Sequence, residues 1–457
     1  MSTSPTRPRQ RLLHLNTNVL NSGKHDAAWR IQDDPLGFVH IEYYRNIARI
    51  AERGTFDAVF LADGPALPGT AGEAPWNSLE PTVLLTAIGS VVEHIGLIGT
   101  ISTTFNDPYN IARRLAAVDH VTHGRAAINI VTTQNAVTAA NFGYTEHPDR
   151  DERYARAEEF VEILVRLWDS WEDDALVADK ATGIFADEAR IHTIDYLSDR
   201  FRVRGPLNIP RTPQGRPVIV QAGDGGRHIA AKYADAVFSA QTVYEEAQQS
   251  YRELKAGAVR NGRDPDQVLL LPGLFPIVGG TEREAWERKE LLDSYLDVDD
   301  EKAKLAAKLG LAPDALELDE PIPEHLLEPG RFGSSAGFFK STLALARAEN
   351  LTVRGVLARN PGAHRQIVGT PEQIADDIQR WFEGRAADGF NLNSDSFPTG
   401  LEPFVDHVVP ELRKRGIFRR EYEGTTLRDH LGLDWPENQY VTHPSRWAAG
   451  DDAGVRI

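Results

Sequence analysis

The chain has 457 residues, with 50 Lys and Arg against 67 Asp and Glu, a formal net charge of −17. It contains no cysteine, which excludes a disulfide framework, a thiolate zinc site, an iron–sulfur cluster and a cysteine nucleophile. The acidic balance argues against nucleic acid or an anionic membrane as partner, because both need a clustered basic surface. No apolar run approaches the ~20 residues of a membrane span. The polar start is expected to be a disordered lead-in over residues 1–10 of a cytoplasmic protein.

Taken in chain order, short aliphatic runs alternate with helical patterns. Strands are expected at Leu12–Val19, Ala58–Asp63, Ile95–Ser102, Ala126–Thr132, Pro217–Gly223, Ala236–Gln241, Val268–Gly279 and Gly389–Leu392. These are nearly continuous apolar runs, as parallel strands buried on both faces require. Helices are expected at Glu42–Gly54, Ile111–Val121, Arg153–Glu172, Arg227–Tyr233 and Glu245–Asn261. The alternation points to an α/β protein with a closed (β/α)₈ (TIM) barrel. A doubly wound open sheet is the competitor, but no G-x-G-x-x-G follows the first strand.

Two connections are too long for plain loops. The first, about 173–216, is expected to carry short strands at Ile191–Tyr196 and Phe201–Val203. The second, about 280–388, holds a charged helical stretch over Glu282–Leu309 and further helices at Phe338–Glu349 and Pro371–Phe382. The expected organisation is therefore one barrel domain over 11–440 with these two insertions, followed by a tail over 441–457.

In a barrel the chemistry lies where strands end. Here those positions are Asn16–Asn18, Asp63, Ser102–Thr104, Asn129, Thr132, Gly223–Gly225, Gln241, Asn391 and Asn393. Such a rim suits hydrogen bonding to a polar heterocycle and suits neither a metal nor a paired-carboxylate hydrolase. The histidines show no H-E-x-x-H spacing, and no G-x-S-x-G or phosphate-transfer loop is present. His25 and His364 stay open as general acids, against the plainer reading of loop histidines. The turn Gly223-Asp224-Gly225-Gly226, just before a helix starting near Arg227, offers unshielded backbone N–H groups for a phosphate. Asp224 counts against that unless it caps the helix, and Arg227 and Arg150 could offset its charge.

Several segments carry a resemblance. Among them are Phe56-Asp57-Ala58-Val59-Phe60-Leu61-Ala62-Asp63, Ile95–Thr104, His123-Gly124-Arg125-Ala126-Ala127-Ile128-Asn129, Glu152-Arg153-Tyr154, Gln214–Gly223 and Val368–Asp376. In order and along nearly the whole chain they resemble the nitrilotriacetate monooxygenase and dibenzothiophene-sulfone monooxygenase family of bacterial luciferase-like barrels. The resemblance implies a monooxygenase of a two-component system, using O₂ and reduced FMN from a separate NAD(P)H:flavin reductase. Oxygen transfer would run through a peroxyflavin to a small organosulfur, amine-carboxylate or related substrate. A homodimer or homotetramer is also implied.

By motif match, Asp63 and Asn129 should lie near the flavin ring. Thr104 should sit beside it at the end of the third strand, where related barrels carry a strained bulge. Tyr154 should reach the phosphate. The turn Gly223-Asp224-Gly225 departs from the family: it is two residues shorter and lacks the usual serine. Arg150 stands where a histidine is common and could compensate. Asn393-Ser394-Asp395-Ser396 replaces a proline-rich turn at the pocket mouth, so no relative's substrate can be copied. The atypical turn keeps two other readings open: a deazaflavin-dependent oxidoreductase and a non-catalytic flavin-binding paralogue.

Overall fold

The computed structural model describes residues 10–69, 71–327, 336–359 and 364–442. All of the expected lead-in but Gln10, and the expected tail beyond Thr442, lie outside these residues. Eight parallel strands form the barrel: β1 His14–Asn18, β2 Ala58–Leu61, β3 Gly96–Ser102, β4 Ala126–Val131, β5 Val218–Ala222, β6 Ala236–Ser239, β7 Leu269–Val278 and β8 Gly389–Leu392. Each pairs with the next in sequence, and β8 pairs back onto β1 with Asn16 opposite Asn391, which closes the ring. The expected strands are all present, Gly389–Leu392 with the same bounds and the others trimmed by a residue or a few at their ends.

Alternation sorts the side chains into two layers. Ala58, Phe60, Ile98, Ala127, Val220 and Phe238 point inward and form one buried cluster. The Phe60 and Phe238 rings meet across the lumen at 4.7 Å between centroids. Leu15, Val59, Leu61 and Leu97 point outward, against helices such as α1, Ile41–Arg53, and α2, Pro81–Gly89. Helix α1 buries Tyr44, Ile47, Ala48 and Ala51, the three-and-four spacing of an apolar stripe. Leu427, Leu431 and Leu433 from the C-terminal stretch plug the end where the strands begin. A Cβ on Gly96 would stand 2.8 Å from the Asp57 carbonyl oxygen and 2.4 Å from Leu427 Cδ1, so backbone and plug pass too close there for a side chain. Function is thereby confined to the opposite mouth.

Helix α3, Pro108–Val121, starts on an Asp107 cap, and helix α4 covers Ala136–Asn141. Helix α5, Arg150–Trp168, starts three residues before its expected position, because Asp149 caps it by accepting from the Glu152 N–H. Helices α6, Arg227–Tyr233, and α7, Tyr244–Arg260, follow β5 and β6.

The connections differ from expectation in three places. The first long connection carries two hairpins, Leu176–Asp179 with Ile184–Ala186 and Tyr196–Leu197 with Arg202–Val203, so most of Ile191–Tyr196 is not strand. The charged stretch is two helices, α8 Glu282–Asp293 and α9 Val298–Leu309, because Asp297 caps a second start. After α10, Ala336–Ala348, and α11, Val353–Ala358, a ninth strand at Arg365–Gly369 pairs with Leu274–Val278 of β7 on one edge. Helix α12, Pro371–Glu383, then leads into β8.

Candidate active site

The mouth is lined by amides whose hydrogen-bonding capacity is not used up. Asn129 on β4 donates through Nδ2 to Thr100 Oγ1 on β3 at 2.9 Å, the two being register partners. Asn18 Nδ2 donates to Asn393 Oδ1 at 2.9 Å. The side-chain oxygens of Asn16, Asn18, Asn129 and Asn391 are buried and accept nothing among the described residues. An unpaired buried acceptor costs ~1–3 kcal/mol, so a cluster of them marks a place where a ligand's N–H and O–H groups complete the structure.

Thr104 is buried just past β3, and its hydroxyl donates to Thr132 O at 2.8 Å. The strand ends at Ser102, and Thr103 and Thr104 have neither a cis bond nor a positive φ. On the neighbouring strand end, Thr133 takes a positive φ of 46. Thr133 Oγ1 donates to Ser102 Oγ at 2.8 Å, and Thr133 O receives Arg153 Nη1 at 3.1 Å. Arg153, buried with its guanidinium also on Pro148 O, was not singled out from the sequence. Its place three residues after Arg150, on one face of α5, was the available signal.

Asp63 follows β2 on the loop toward α2. Burial, with a further push from the Glu80 charge, raises its carboxyl pKa to about 6 against an opposing hydrogen bond from the Gly64 N–H. Its ionisation lies closer to neutrality than that of an ordinary aspartate.

Opposite β1 across the ring, the turn after β5 gathers the remaining expected residues. Gly223 has φ 85, a conformation suited to glycine, and Asp224–Gly226 form a single tight helical turn before α6. A Cβ on Gly225 would stand 2.1 Å from the Tyr154 hydroxyl and 3.5 Å from Arg150 Nη2, so both side chains lie against this turn. The Arg150 guanidinium is 4.8 Å from the Tyr154 ring centroid, a cation–π contact that orients both groups. Arg227, by contrast, reaches Glu253 and Ser250 on α7. Arg150, Tyr154, Gly223 and Gly225 therefore converge, Thr104 and Asn129 share the β3–β4 rim, and Asp63 stands apart on the loop past β2. His25 is not a free acid: its Nδ1 accepts from the Ala27 N–H and its Nε2 faces Asp293 at 3.0 Å. Among the described residues no group of His, Cys, Asp or Glu could hold a metal ion, and no helix is long and apolar enough to cross a membrane.

Residues 23–388 match the model of the luciferase-like monooxygenase family. The chain belongs to that family. It is 41% identical over 439 residues to the N-acetyl-S-(2-succino)cysteine monooxygenase of Bacillus subtilis (strain 168), covering 95% of this chain and 99% of the relative. It is 43% identical over 442 residues to nitrilotriacetate monooxygenase component A of Aminobacter aminovorans, covering 93% and 97%. Among solved structures, a riboflavin lyase with modified FMN and riboflavin superposes with a TM-score of 0.81 at 31% identity, over 96% of this chain and all (100%) of that one. An F420-dependent secondary alcohol dehydrogenase reaches 0.55 at 13% identity, a likeness of fold alone. The monooxygenase reading of the sequence stands, and the deazaflavin and non-catalytic readings gain no support.

Proposed function

We propose that this chain is the oxygenating component of a two-component system, binding reduced FMN at the barrel mouth and inserting one oxygen atom of O₂ into a small organic substrate. The observation that carries the reading is the convergence of the Tyr154 hydroxyl and the Arg150 guanidinium on the glycine turn after β5. A neutral hydroxyl and a cation against a glycine turn suit a phosphate monoester, and the serine missing from the turn has its function covered by Arg150. The buried amide oxygens of Asn16, Asn129 and Asn391 supply acceptors for a heterocycle rich in N–H groups.

Reduced flavin, when bound, supplies the two electrons that activate O₂. The protein's own part is then to hold, orient and dry the site. Asn129, fixed by Thr100, presents its amide oxygen inward. Arg153 and Thr133 clamp the end of β4 so that the rim keeps its shape. Asp63, on the loop past β2, carries a carboxyl whose pKa of about 6 lets it take up a proton more readily than an ordinary aspartate. The reductase partner, the FMN cofactor and a homo-oligomeric assembly complete this reading, with an organosulfur or amine-carboxylate compound as substrate.

Anaerobic titration of the full-length protein with photoreduced FMN tests it. Saturable binding in the micromolar range, followed by oxygen uptake coupled to substrate loss after mixing with air, is the expected result. Absence of reduced-FMN binding at tens of micromolar would remove the proposal.

A further inference from the structure

The connection from α5 to β5 carries two hairpins along the outside of the barrel, and the first of them is firmly built. Trp171 bridges to Ile191 at its base, and Trp171 Nε1 donates to Leu207 O at 2.8 Å. Asp187 N–H donates to Ala175 O at 2.8 Å, and Arg190 pairs with both Asp174 and Asp187. At the tip, Asp179 accepts from the Ala181 N–H at 2.8 Å and from Thr182 Oγ1 at 2.6 Å.

This anchored arm has no core of its own. No residue of its strands, Leu176–Asp179 and Ile184–Ala186, is buried. Leu176, Val177 and Ile184 are exposed, and Phe185 is 73% exposed. A lone two-stranded hairpin is marginal in water, and a contiguous apolar patch left in solvent marks an interaction surface. The second hairpin packs its inner side on α5, where Phe201 and Val203 join Phe160 and Leu164 in one buried cluster and Arg200 pairs with Glu152 and Glu159. Its outer side leaves Leu197 at 74% exposure.

The two hairpins carry opposite charge. Residues 172–190 hold six acidic and two basic side chains, whereas 196–204 hold three basic and one acidic. Glu188 on the first, and Arg202 and Arg204 on the second, are exposed and have no ion-pair partner among the described residues. In a protein of net charge −17, two like surfaces repel, so a contact between copies needs locally opposite charge. A two-fold contact that sets the first hairpin of each copy on the second hairpin of the other matches acid with base, and apolar with apolar, twice over. Residues 173–204 supply ~20–30 surface residues, as many as one side of a standard interface uses. The bulge at Ala178, with φ 48, breaks the edge of the first hairpin, so side chains make the contact rather than an added strand.

We propose that these two hairpins are the contact surface for a second copy of this chain, with Phe185 of one copy seated beside Leu197 of the other. None of the residues assigned to the cofactor belongs to either hairpin. The inference deepens the homo-oligomeric part of the reading above and asks nothing of its oxygen chemistry.

Light scattering on the full-length protein tests it, with reduced-FMN titration of wild type alongside. Wild type should be an oligomer, and Phe185→Asp and Leu197→Asp should each lower its mass at least twofold, to the same smaller species. The chain has no cysteine, so introduced ones report position without background. Co-expressed Phe185→Cys and Leu197→Cys chains should be joined into a mixed dimer by a short bis-maleimide. A monomeric wild type, an unchanged mass in both Asp variants, or no mixed dimer overturns the proposal. Unchanged mass with loss of reductase binding in Phe185→Asp also overturns it, since the arm would then dock that partner. A hairpin-dependent mass in a protein that binds no reduced FMN would leave the contact standing and remove the monooxygenase reading.

Discussion

Arg419 donates through Nη2 to Asp57 Oδ1 at the closed end of the barrel, where Asp57 is fully buried. The same carboxylate receives the Leu15 N–H at 2.7 Å and faces His14 Nδ1 at 3.1 Å, while Arg419 also holds His430 O at 2.8 Å. Burial alone would raise the Asp57 pKa, but the Arg419 and His14 charges and the hydrogen bonds outweigh it and hold the carboxyl below its ordinary value. The C-terminal stretch is thus tied to β1 and to the start of β2 through one anion. Removing one partner leaves the other charge buried, which costs ~3–5 kcal/mol. Arg419→Ala should lose that much in urea unfolding at pH 7. A loss under ~1 kcal/mol would show that the plug is held by Leu427 and its neighbours alone.

Asp63 carries the opposite sign. Its folded pKa of about 6 exceeds the ordinary 3.8. Ionisation therefore favours the unfolded chain, and the cost grows as pH rises from about 4 to about 6 and stays above that. Asp63→Asn should melt higher than wild type at pH 7.5, by ~1 kcal/mol once the partial exposure of the group is discounted. The gap should close at pH 4. Turnover should fall in the same variant, the usual cost of relieving a strained site. Equal melting of the two proteins across this range would show that the carboxyl is not perturbed.

The eight barrel strands were legible because strands buried on both faces leave apolar runs that no surface element imitates. The strand Arg365–Gly369 left no such run. It pairs along one edge only, and Arg365 and Gln366 open it with polar side chains. Arg150, Tyr154 and the glycine turn could be nominated through their motifs, since each lies within a few residues of a recognisable landmark. The place of His364 over Gly273 could not be foreseen, because it depends on the path of a long connection. The positive φ at Thr133 could not be foreseen, because a backbone φ has no signature in a run of Thr and Ser.

His430 supplies a pH test of the closed end. Burial, reinforced by the Arg419 charge and partly offset by Asp57, lowers its pKa from 6.5 to about 4. The neutral ring packs against Tyr422, tilted by 44°, at 4.7 Å between centroids. The unfolded chain takes up a proton near pH 6.5 that the folded chain refuses, so this contribution is present above pH 6.5 and is lost as pH falls toward 4. One such proton gives a slope of ~1.4 kcal/mol per pH unit. His430→Phe keeps a ring of similar shape and should flatten the fall in stability between pH 6 and pH 4.5 by about that slope. An unaltered slope would place the proton uptake elsewhere, with His364 next in line because burial and Lys24 depress it to about 3.

The glycine turn gives the sharpest test of the cofactor site. Tyr154→Phe removes a single hydroxyl that lies against Gly225 and should weaken reduced-FMN binding by ~1 kcal/mol, about fivefold. Arg150→Ala removes a charge and the cation–π partner of the same ring, and should cost more, ~1.5–3 kcal/mol. Because the guanidinium orients the ring, the two losses should not add: the double variant should bind better than the sum predicts, by ~0.5 kcal/mol or more. Gly225→Ala should be worse than Tyr154→Phe, since the new methyl would overlap the hydroxyl, yet Gly225→Ala in a Tyr154→Phe background should recover part of the loss. Strict additivity in both pairs, measured by anaerobic titration, would mean that the turn, the tyrosine and the arginine do not serve one phosphate.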